Sequence, residues 1–513
     1  MAVIVRNLRV GIAGALTLWT AAVVADPAQE SLDERVLLVE TGLRPALKER
    51  GGPPVRWSMA ERMTYHGVPG VSVAIIENGE IILARGYGVL RKGASAAVDS
   101  NTVFSVGSVS KVGAAMTAHA LVRDGVLDLD TDVNEYLQRW KLAQGKASGG
   151  KPATLRGLMS HTAGLNVHGF DDFLPGEELP STVDVLTGRG AAKSAPVTFI
   201  HEPGTISDYS GGGTTITGLV VADVTGLSFA EAARKHLFQP LNMSRSTYTQ
   251  PLPASHGNIA NAHDSNGKPN AEPRGWHSFP EDAASGLWTT PSDAAAMLIA
   301  LRDSYLGKPG AFLTRDHAID VLTEVGPSKV GLGPFLRGSG ATRRFGHEGS
   351  NESYKALAHL YLNSGQGAVI FTNGANGAEL YQEIVRSIAD VFAWPESYET
   401  TIDSSIVQNA QLKQFAGSYT HSPLDPRDKR TTFGEIRKFQ IELRDSGIAM
   451  GITVPLDGGV QRYLEFPLKP ISHNHFVDEA GQRRFEFVLG TYGELEGIIV
   501  RHDGYAAFYS GDS

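Results

Sequence analysis

Cysteine is absent from the 513-residue chain. That excludes a disulfide framework, thiolate metal sites and a cysteine nucleophile. No block of like charge stands out either, and Lys+Arg 46 against Asp+Glu 55 gives a net charge of −9. Nucleic-acid phosphates need clustered cations, so nucleic acid is not an expected partner. Long apolar runs are missing with one exception, Val10 to Ala25, which is short for a hydrocarbon core of ~30 Å. Arg6 and Arg9 precede that run, and Val23-Val24-Ala25 places small residues before Asp26, so residues 1–25 read as a secretory signal. Its removal leaves 44 − 55 = −11, and the mature chain is expected to be periplasmic or secreted, with no stable membrane insertion. What the chain has in quantity is glycine, 58 residues, which favours tight turns and close backbone approaches.

Hydrophobic periodicity divides the rest. Val71–Ile76, a turn at Glu77-Asn78-Gly79-Glu80 and Ile81–Ala84 spell a hairpin. From Ser105 the apolar residues Val109, Val112, Ala115, Met116 and Ala120 recur at helical spacing, with Gly125 as a stop signal. Residues 130–300 read as largely helical, with Gly/Pro-rich interruptions at 145–152, 174–180 and 251–275. Strands return at Ala356–Leu362 and Ala368–Thr372, followed by a helix over Ala378–Phe392. The expectation is an α+β fold: a mostly antiparallel sheet flanked by helices, its first and last strands paired, with a helical lobe inserted between them. Beyond Pro395, residues 396–410 are polar and read as a linker. Short strands such as Phe439–Leu443, Phe485–Leu489 and Gly497–Arg501 make 411–513 a separate all-β barrel.

The chemistry starts at Ser108-Val-Ser-Lys111. On a helix these two side chains lie one turn apart on one face. A serine hydroxyl becomes a nucleophile only when a nearby base takes its proton, and a lysine can do that only where desolvation favours its neutral form. Ser148-Gly-Gly-Lys151 and Ser265-Asn-Gly-Lys268 share the spacing but sit in polar, glycine-bearing turns. Only Ser108–Lys111 has apolar neighbours. His201-Glu202-Pro203 has no second histidine at helical spacing, and His161 and His168 are wrongly spaced for a ligand pair, so no metal or other cofactor is implied.

The run Ser105–Leu129 resembles the nucleophile helix of the class C β-lactamase and penicillin-binding serine hydrolase superfamily. Leu158-Met-Ser-His-Thr-Ala-Gly-Leu165, Glu202-Pro-Gly-Thr-Ile-Ser-Asp-Tyr-Ser210, Ala284–Asp293 and Gly346-His-Glu-Gly349 continue the resemblance in the family's order, over about residues 55–395. The resemblance implies Ser108 as the acylated nucleophile, Lys111 as its base partner and Tyr209 as the proton shuttle. It implies the third motif at His347-Glu348-Gly349 and an oxyanion hole from the backbone N–H groups of Ser108 and Ser350. Tyr361-Leu-Asn363 and Lys308-Pro-Gly310 imitate the second and third motifs, but read as a strand and a turn.

Two departures stand out. Gly211 replaces an asparagine that many relatives use to bind a substrate acylamide, and His347 replaces a lysine whose charge holds a substrate carboxylate. Both fit the branch of D-aminopeptidases, related small-peptide hydrolases and β-lactamase-like esterases. Leu412-Lys-Gln-Phe-Ala-Gly-Ser-Tyr419 resembles the start of the lipocalin-like barrel appended to several of these peptidases. The organisation expected is therefore a signal (1–25), a hydrolase domain (26–395), a linker (396–410) and a barrel (411–513). The activity expected is acyl-enzyme hydrolysis of short peptides or other small amides. Its alternatives are a carboxylesterase or weak β-lactamase of the same fold, or a non-catalytic penicillin-binding sensor or cell-wall interaction protein.

Overall fold

A computed structural model describes residues 31–328, 330–395, 399–406, 409–423, 437–445, 447–455, 461–502 and 505–511. The expected signal segment lies outside them. Helix α1 (Leu32–Thr41) leads into the short strand β1 (Leu47–Glu49) and helix α2 (Met59–His66). The hairpin follows as β2 (Gly70–Glu77) and β3 (Glu80–Gly88), and its turn places Asn78 and Gly79 both at positive φ, 55° and 79°. After the two-residue strand β4 (Phe104–Ser105) comes helix α3 (Ser110–Arg123). The inserted lobe contains α4 (Gly211–Thr225), α5 (Asp282–Ser285), β5 (Trp288–Thr289) and α6 (Pro291–Tyr305). The chain then returns through β6 (Phe335–Arg337), β7 (Arg344–Asn351), β8 (Tyr354–Tyr361), β9 (Gly367–Thr372) and helix α7 (Gly377–Val391).

The six-stranded sheet runs β3-β2-β9-β8-β7-β6 with every neighbour antiparallel. The first hairpin and the last strand thus pair, with Val73 opposite Ile370. Both faces are covered, which explains why β2 is a continuous apolar run rather than an alternating one. Val71, Val73 and Ile75 pack with α1, α2 and α7, while Ala74 and Ile76 join the core built around α3 and α6. Helix α3 is buried from Ser110 to Leu121 on all sides, the signature of a central helix.

Residues 130–300 are less helical than their composition suggests. Apart from one short turn, 239–281 is irregular chain, where proline, glycine and asparagine interrupt every apolar repeat. The 396–410 stretch also carries structure: β10 (Thr400–Ile402) pairs in parallel with β1, tying this segment to the start of the hydrolase domain.

Strands β11 (Gly417–His421), β12 (Lys438–Arg444), β13 (Gly447–Pro455), β14 (Gln461–Pro470), β15 (His475–Asp478), β16 (Arg484–Leu489), β17 (Leu495–His502) and β18 (Tyr505–Gly511) close into an eight-stranded antiparallel barrel in sequence order. Phe415, Tyr419, Phe439, Phe476, Phe487 and Tyr509 are buried together, with Phe415 stacked on Phe487 at 4.1 Å. The aromatic rings pack the interior as a core.

A buried ion pair locks α2 to α7. Arg62 donates from Nε and Nη2 to the two carboxylate oxygens of Glu383 at 2.7 and 2.6 Å, and His66 Nε2 lies 3.2 Å from the same group. Burial alone would raise the Glu383 carboxyl, but the hydrogen bonds from His66 and Arg62 hold it below its ordinary value. A depressed carboxyl contributes stability that is present above the unfolded-state value and lost as pH falls through the folded one. Glu383→Ala is therefore expected to cost about 3 kcal/mol at pH 7. Chemical denaturation of both proteins should show that difference shrinking towards pH 3.

Candidate active site

Ser108 lies in a single 3₁₀ turn (Gly107–Val109) that directly precedes α3, so the positive end of a buried helix faces its oxygen. The turn replaces the first turn of the helix expected from Ser105, because β4 pairs with β5 and holds Phe104 and Ser105 extended. The one-turn relation between Ser108 and Lys111 survives this change. Lys111 Nζ lies 3.0 Å from Ser108 Oγ and donates to the Ala284 carbonyl at 2.8 Å. The residue is 5% exposed. That carbonyl belongs to α5, which is pinned by Ser285 Oγ donating to Glu281 at 2.7 Å. Burial pushes the Glu281 carboxyl up to about 8, which reduces the negative charge near Lys111 at neutral pH.

The other wall is the free edge of β7. Strand β6 pairs only with residues 344–346, so from His347 onward that edge meets the serine turn instead of a strand. Two glycines permit the approach. A Cβ on Gly349 would fall 1.8 Å from the Val106 carbonyl oxygen, and one on Gly107, at φ +49°, would fall 2.7 Å from Ser350 N. Asn351 Nδ2 clamps the two segments by donating to Ser105 Oγ at 2.6 Å. The backbone of Ser350 is thus held against the Ser108 turn by close packing.

Tyr209 comes to the same place from the lobe, one residue before Ser210, whose hydroxyl caps α4 by accepting from Gly213 N at 3.0 Å. Its ring is flanked by His161 at 4.4 Å and His168 at 4.8 Å, and lies parallel to Phe335 at 6.1 Å. Lys111 Nζ stands 5.1 Å from its ring centroid, a cation–π distance. Among the described residues no hydrogen bond joins the phenol to Ser108 or Lys111, so the amine meets the face of the ring. Apo sites commonly hold such pairs loosely and tighten them around substrate. His161, at φ +59°, accepts from Ser210 N through Nδ1 at 3.2 Å, and burial, followed by the proximity of Lys111, keeps its imidazole well below the ordinary range.

His347 is 6% exposed. Its Nδ1 faces the Glu348 carbonyl at 2.5 Å, so that nitrogen carries the proton. Burial first, and then Lys111, push its pKa down to about 3. The imidazole is consequently neutral at pH 7, and its buried Nε2 is an acceptor without a partner among the described residues. A neutral acceptor cannot hold a substrate carboxylate. His347→Lys should restore that charge and raise kcat/KM on nitrocefin, a carboxylate-bearing β-lactam, by about tenfold relative to a neutral ester. Parallel steady-state assays of both substrates read out the ratio.

Gly211 has a steric reason. A Cβ there would lie 3.0 Å from the Phe170 ring and 3.1 Å from the His168 carbonyl, so this loop occupies part of the space an asparagine would need. The imitating motifs fall elsewhere. Lys151 pairs with Glu202, Lys308 with Asp303, and Tyr361 packs against His359 and Trp394 on the opposite face of the sheet. His168 and Phe335, which frame Tyr209, carried no sequence signal. The hydrogen-bonding Asn351 stood two residues past the third motif and could have been suspected from that position.

The Beta-lactamase family profile matches residues 56–392. The chain belongs to this family. Its chemistry in general terms is that of a serine hydrolase. Among curated proteins the chain is similar to Penicillin-binding protein 4 of Amycolatopsis lactamdurans, 27% identical over 376 residues, covering 69% of this chain and 94% of that protein. Among solved structures, the octameric penicillin-binding protein homologue from Pyrococcus abyssi superposes with a TM-score of 0.57 at 19% identity, over 88% of this chain and 98% of the other. The D-amino acid amidase from Ochrobactrum anthropi SV3, complexed with D-phenylalanine, gives 0.52 at 20% identity, over 70% and 99%. Within the β-lactamase-like fold, the sheet, α3 and the lobe form the hydrolase unit, and the closed barrel is an additional all-β domain.

Proposed function

We propose that this chain is an exported serine hydrolase that cleaves short peptides or other small amides through an acyl-enzyme on Ser108. Lys111 takes the Oγ proton across the 3.0 Å contact, and Oγ attacks the carbonyl carbon. The backbone N–H groups of Ser108 and Ser350 hold the tetrahedral oxyanion at the meeting of the serine turn and β7. Tyr209, drawn in around substrate, passes the proton to the leaving amine, and water then releases the acyl group. Export rests on residues 1–25.

The observation that supports the amide reading is the neutral, buried His347, whose Nε2, without a partner among the described residues, can only accept a hydrogen bond and offers nothing to a carboxylate. The fold shared with a D-amino acid amidase is consistent with it. The same neutral wall suits a neutral acyl ester, so a carboxylesterase of this fold is the second reading. Rates of the purified chain on D- and L-alanine p-nitroanilide, p-nitrophenyl butyrate and nitrocefin, each against Ser108→Ala, test the assignment. Fastest turnover of an anilide supports it. Ester turnover with inert anilides favours the esterase, and a stoichiometric burst without a steady state favours a non-turning-over sensor.

A further inference from the structure

Tyr209 meets Lys111 by the face of its ring, with no hydrogen bond to it or to Ser108 among the described residues, so the chain around the tyrosine sets its place. His161 grips both neighbours of Tyr209. Its carbonyl accepts from Asp208 N at 2.9 Å, and its Nδ1 accepts from Ser210 N at 3.2 Å. Three more carbonyls follow along the same segment. Asn166 accepts from Ser210 Oγ at 2.6 Å, and Val167 and His168 accept from Gly212 N and Gly211 N, both at 3.1 Å. The first N–H groups of a helix have no partner within it, so these contacts fasten the start of α4 and the tyrosine that precedes it.

The segment is strained where it does this. His161 and Val167 both hold a left-handed backbone, at φ +59° and +60°, and at a β-branched residue that conformation is an outlier. Such strain persists only where the surroundings over-determine it, and it gathers at functional sites. His161 is 4% exposed, and its ring lies 4.4 Å from that of Tyr209, so it also sets the tilt of the phenol. Burial, followed by the nearness of Lys111, favours the neutral imidazole, which leaves Nδ1 able to accept.

We propose, resting on the acyl-enzyme reading above, that His161 is the positioning residue of Tyr209: it fixes where the phenol delivers its proton, and so governs cleavage of substrates with poor leaving groups. When the tetrahedral intermediate collapses, the C–N bond breaks and its electron pair goes to the leaving nitrogen, which takes the Tyr209 Oη proton. Lys111 then returns to the phenolate the proton that came from Ser108. An alkyl ester needs the same delivery at its leaving oxygen. p-Nitrophenolate leaves as a stable anion and needs none. A misplaced Tyr209 therefore slows anilide and alkyl ester cleavage and spares aryl ester cleavage, whereas general damage to the fold slows all three.

Values of kcat/KM for the full chain on three compounds with one acyl group test this: the p-nitroanilide, the ethyl ester and the p-nitrophenyl ester of alanine, in the enantiomer turned over faster. His161→Gln fills the space but carries its amide one bond too far out to accept from Ser210 N. His161→Asn puts Oδ1 where Nδ1 stands and tolerates the left-handed backbone. The anilide-to-aryl-ester ratio is expected to fall at least about tenfold in His161→Gln, as in Tyr209→Phe, and to recover most of that loss in His161→Asn. His161→Gly, which keeps the backbone without strain, replaces the glutamine variant if that does not fold. If the chain is inert towards the anilide, the amide reading fails and the ethyl-to-aryl-ester ratio decides by the same criterion. A parallel fall on every compound, or an unchanged ratio in His161→Gln beside a selective loss in Tyr209→Phe, would overturn the proposal. An unchanged ratio in Tyr209→Phe removes the shuttle, and the role of His161 with it.

Discussion

Replacing Lys111 by methionine lowers turnover of any substrate by about a thousandfold while leaving the fold in place. The size follows from what the amine does. General-base assistance is worth ~10²–10⁴, and Lys111 Nζ is the one basic nitrogen among the described residues within hydrogen-bond reach of Ser108 Oγ. Methionine keeps the length and apolar packing of the side chain, so the buried wall stays filled. The Ala284 carbonyl loses its donor, and a buried unpaired acceptor costs ~1–3 kcal/mol, which appears as a small drop in melting temperature. Stopped-time assays on the best substrate, with a thermal melt on the same sample, separate the two effects. Activity within about tenfold of wild type would remove Lys111 from the mechanism.

Replacing Gly349 by alanine is expected to cut kcat by about 10²–10³ with little change in KM. The new methyl would stand 1.8 Å from the Val106 carbonyl oxygen, a contact that no rotamer relieves because both partners are backbone or Cβ. The strand edge or the serine turn must therefore move, and the Ser350 N–H moves with it. A shift of about 1 Å in such a donor is enough to lose a hundredfold. Far-ultraviolet circular dichroism should match wild type, since β8 still holds β7 on its other side through pairs such as His347–Ala358. Unchanged kcat would mean that the β7 backbone is not the oxyanion donor.

Much of this is legible in the sequence. The hairpin at Asn78-Gly79, the return strands and α7 follow from turn chemistry and local periodicity, and each falls within a few residues of its expected place. Ser108 and Lys111 were legible because their relation is local: one helical turn brings them together whatever surrounds them. The rest depends on contacts distant in sequence. Phe335 stacks on Tyr209 across 126 positions (335 − 209), and no propensity of either residue encodes that meeting. The parallel β1–β10 pair lay hidden because each partner is only three residues long and polar at one end. The serine turn departs from the helix its pattern predicts because β5, about 180 residues away, holds Ser105 extended, a tertiary override of a good helical pattern. His347 shows a subtler limit. Its type was visible, but its neutrality comes from burial beside Lys111, which only packing reveals.

The central claim is that Ser108 is the covalent nucleophile. Intact-mass analysis of the purified chain after exposure to a fluorophosphonate, followed by peptide mapping, measures this directly. A single adduct on the peptide bearing Ser108, lost in Ser108→Ala and slowed about a thousandfold in Lys111→Met, is the predicted result. An adduct of equal extent in Ser108→Ala, or one mapped to another residue, would contradict the account.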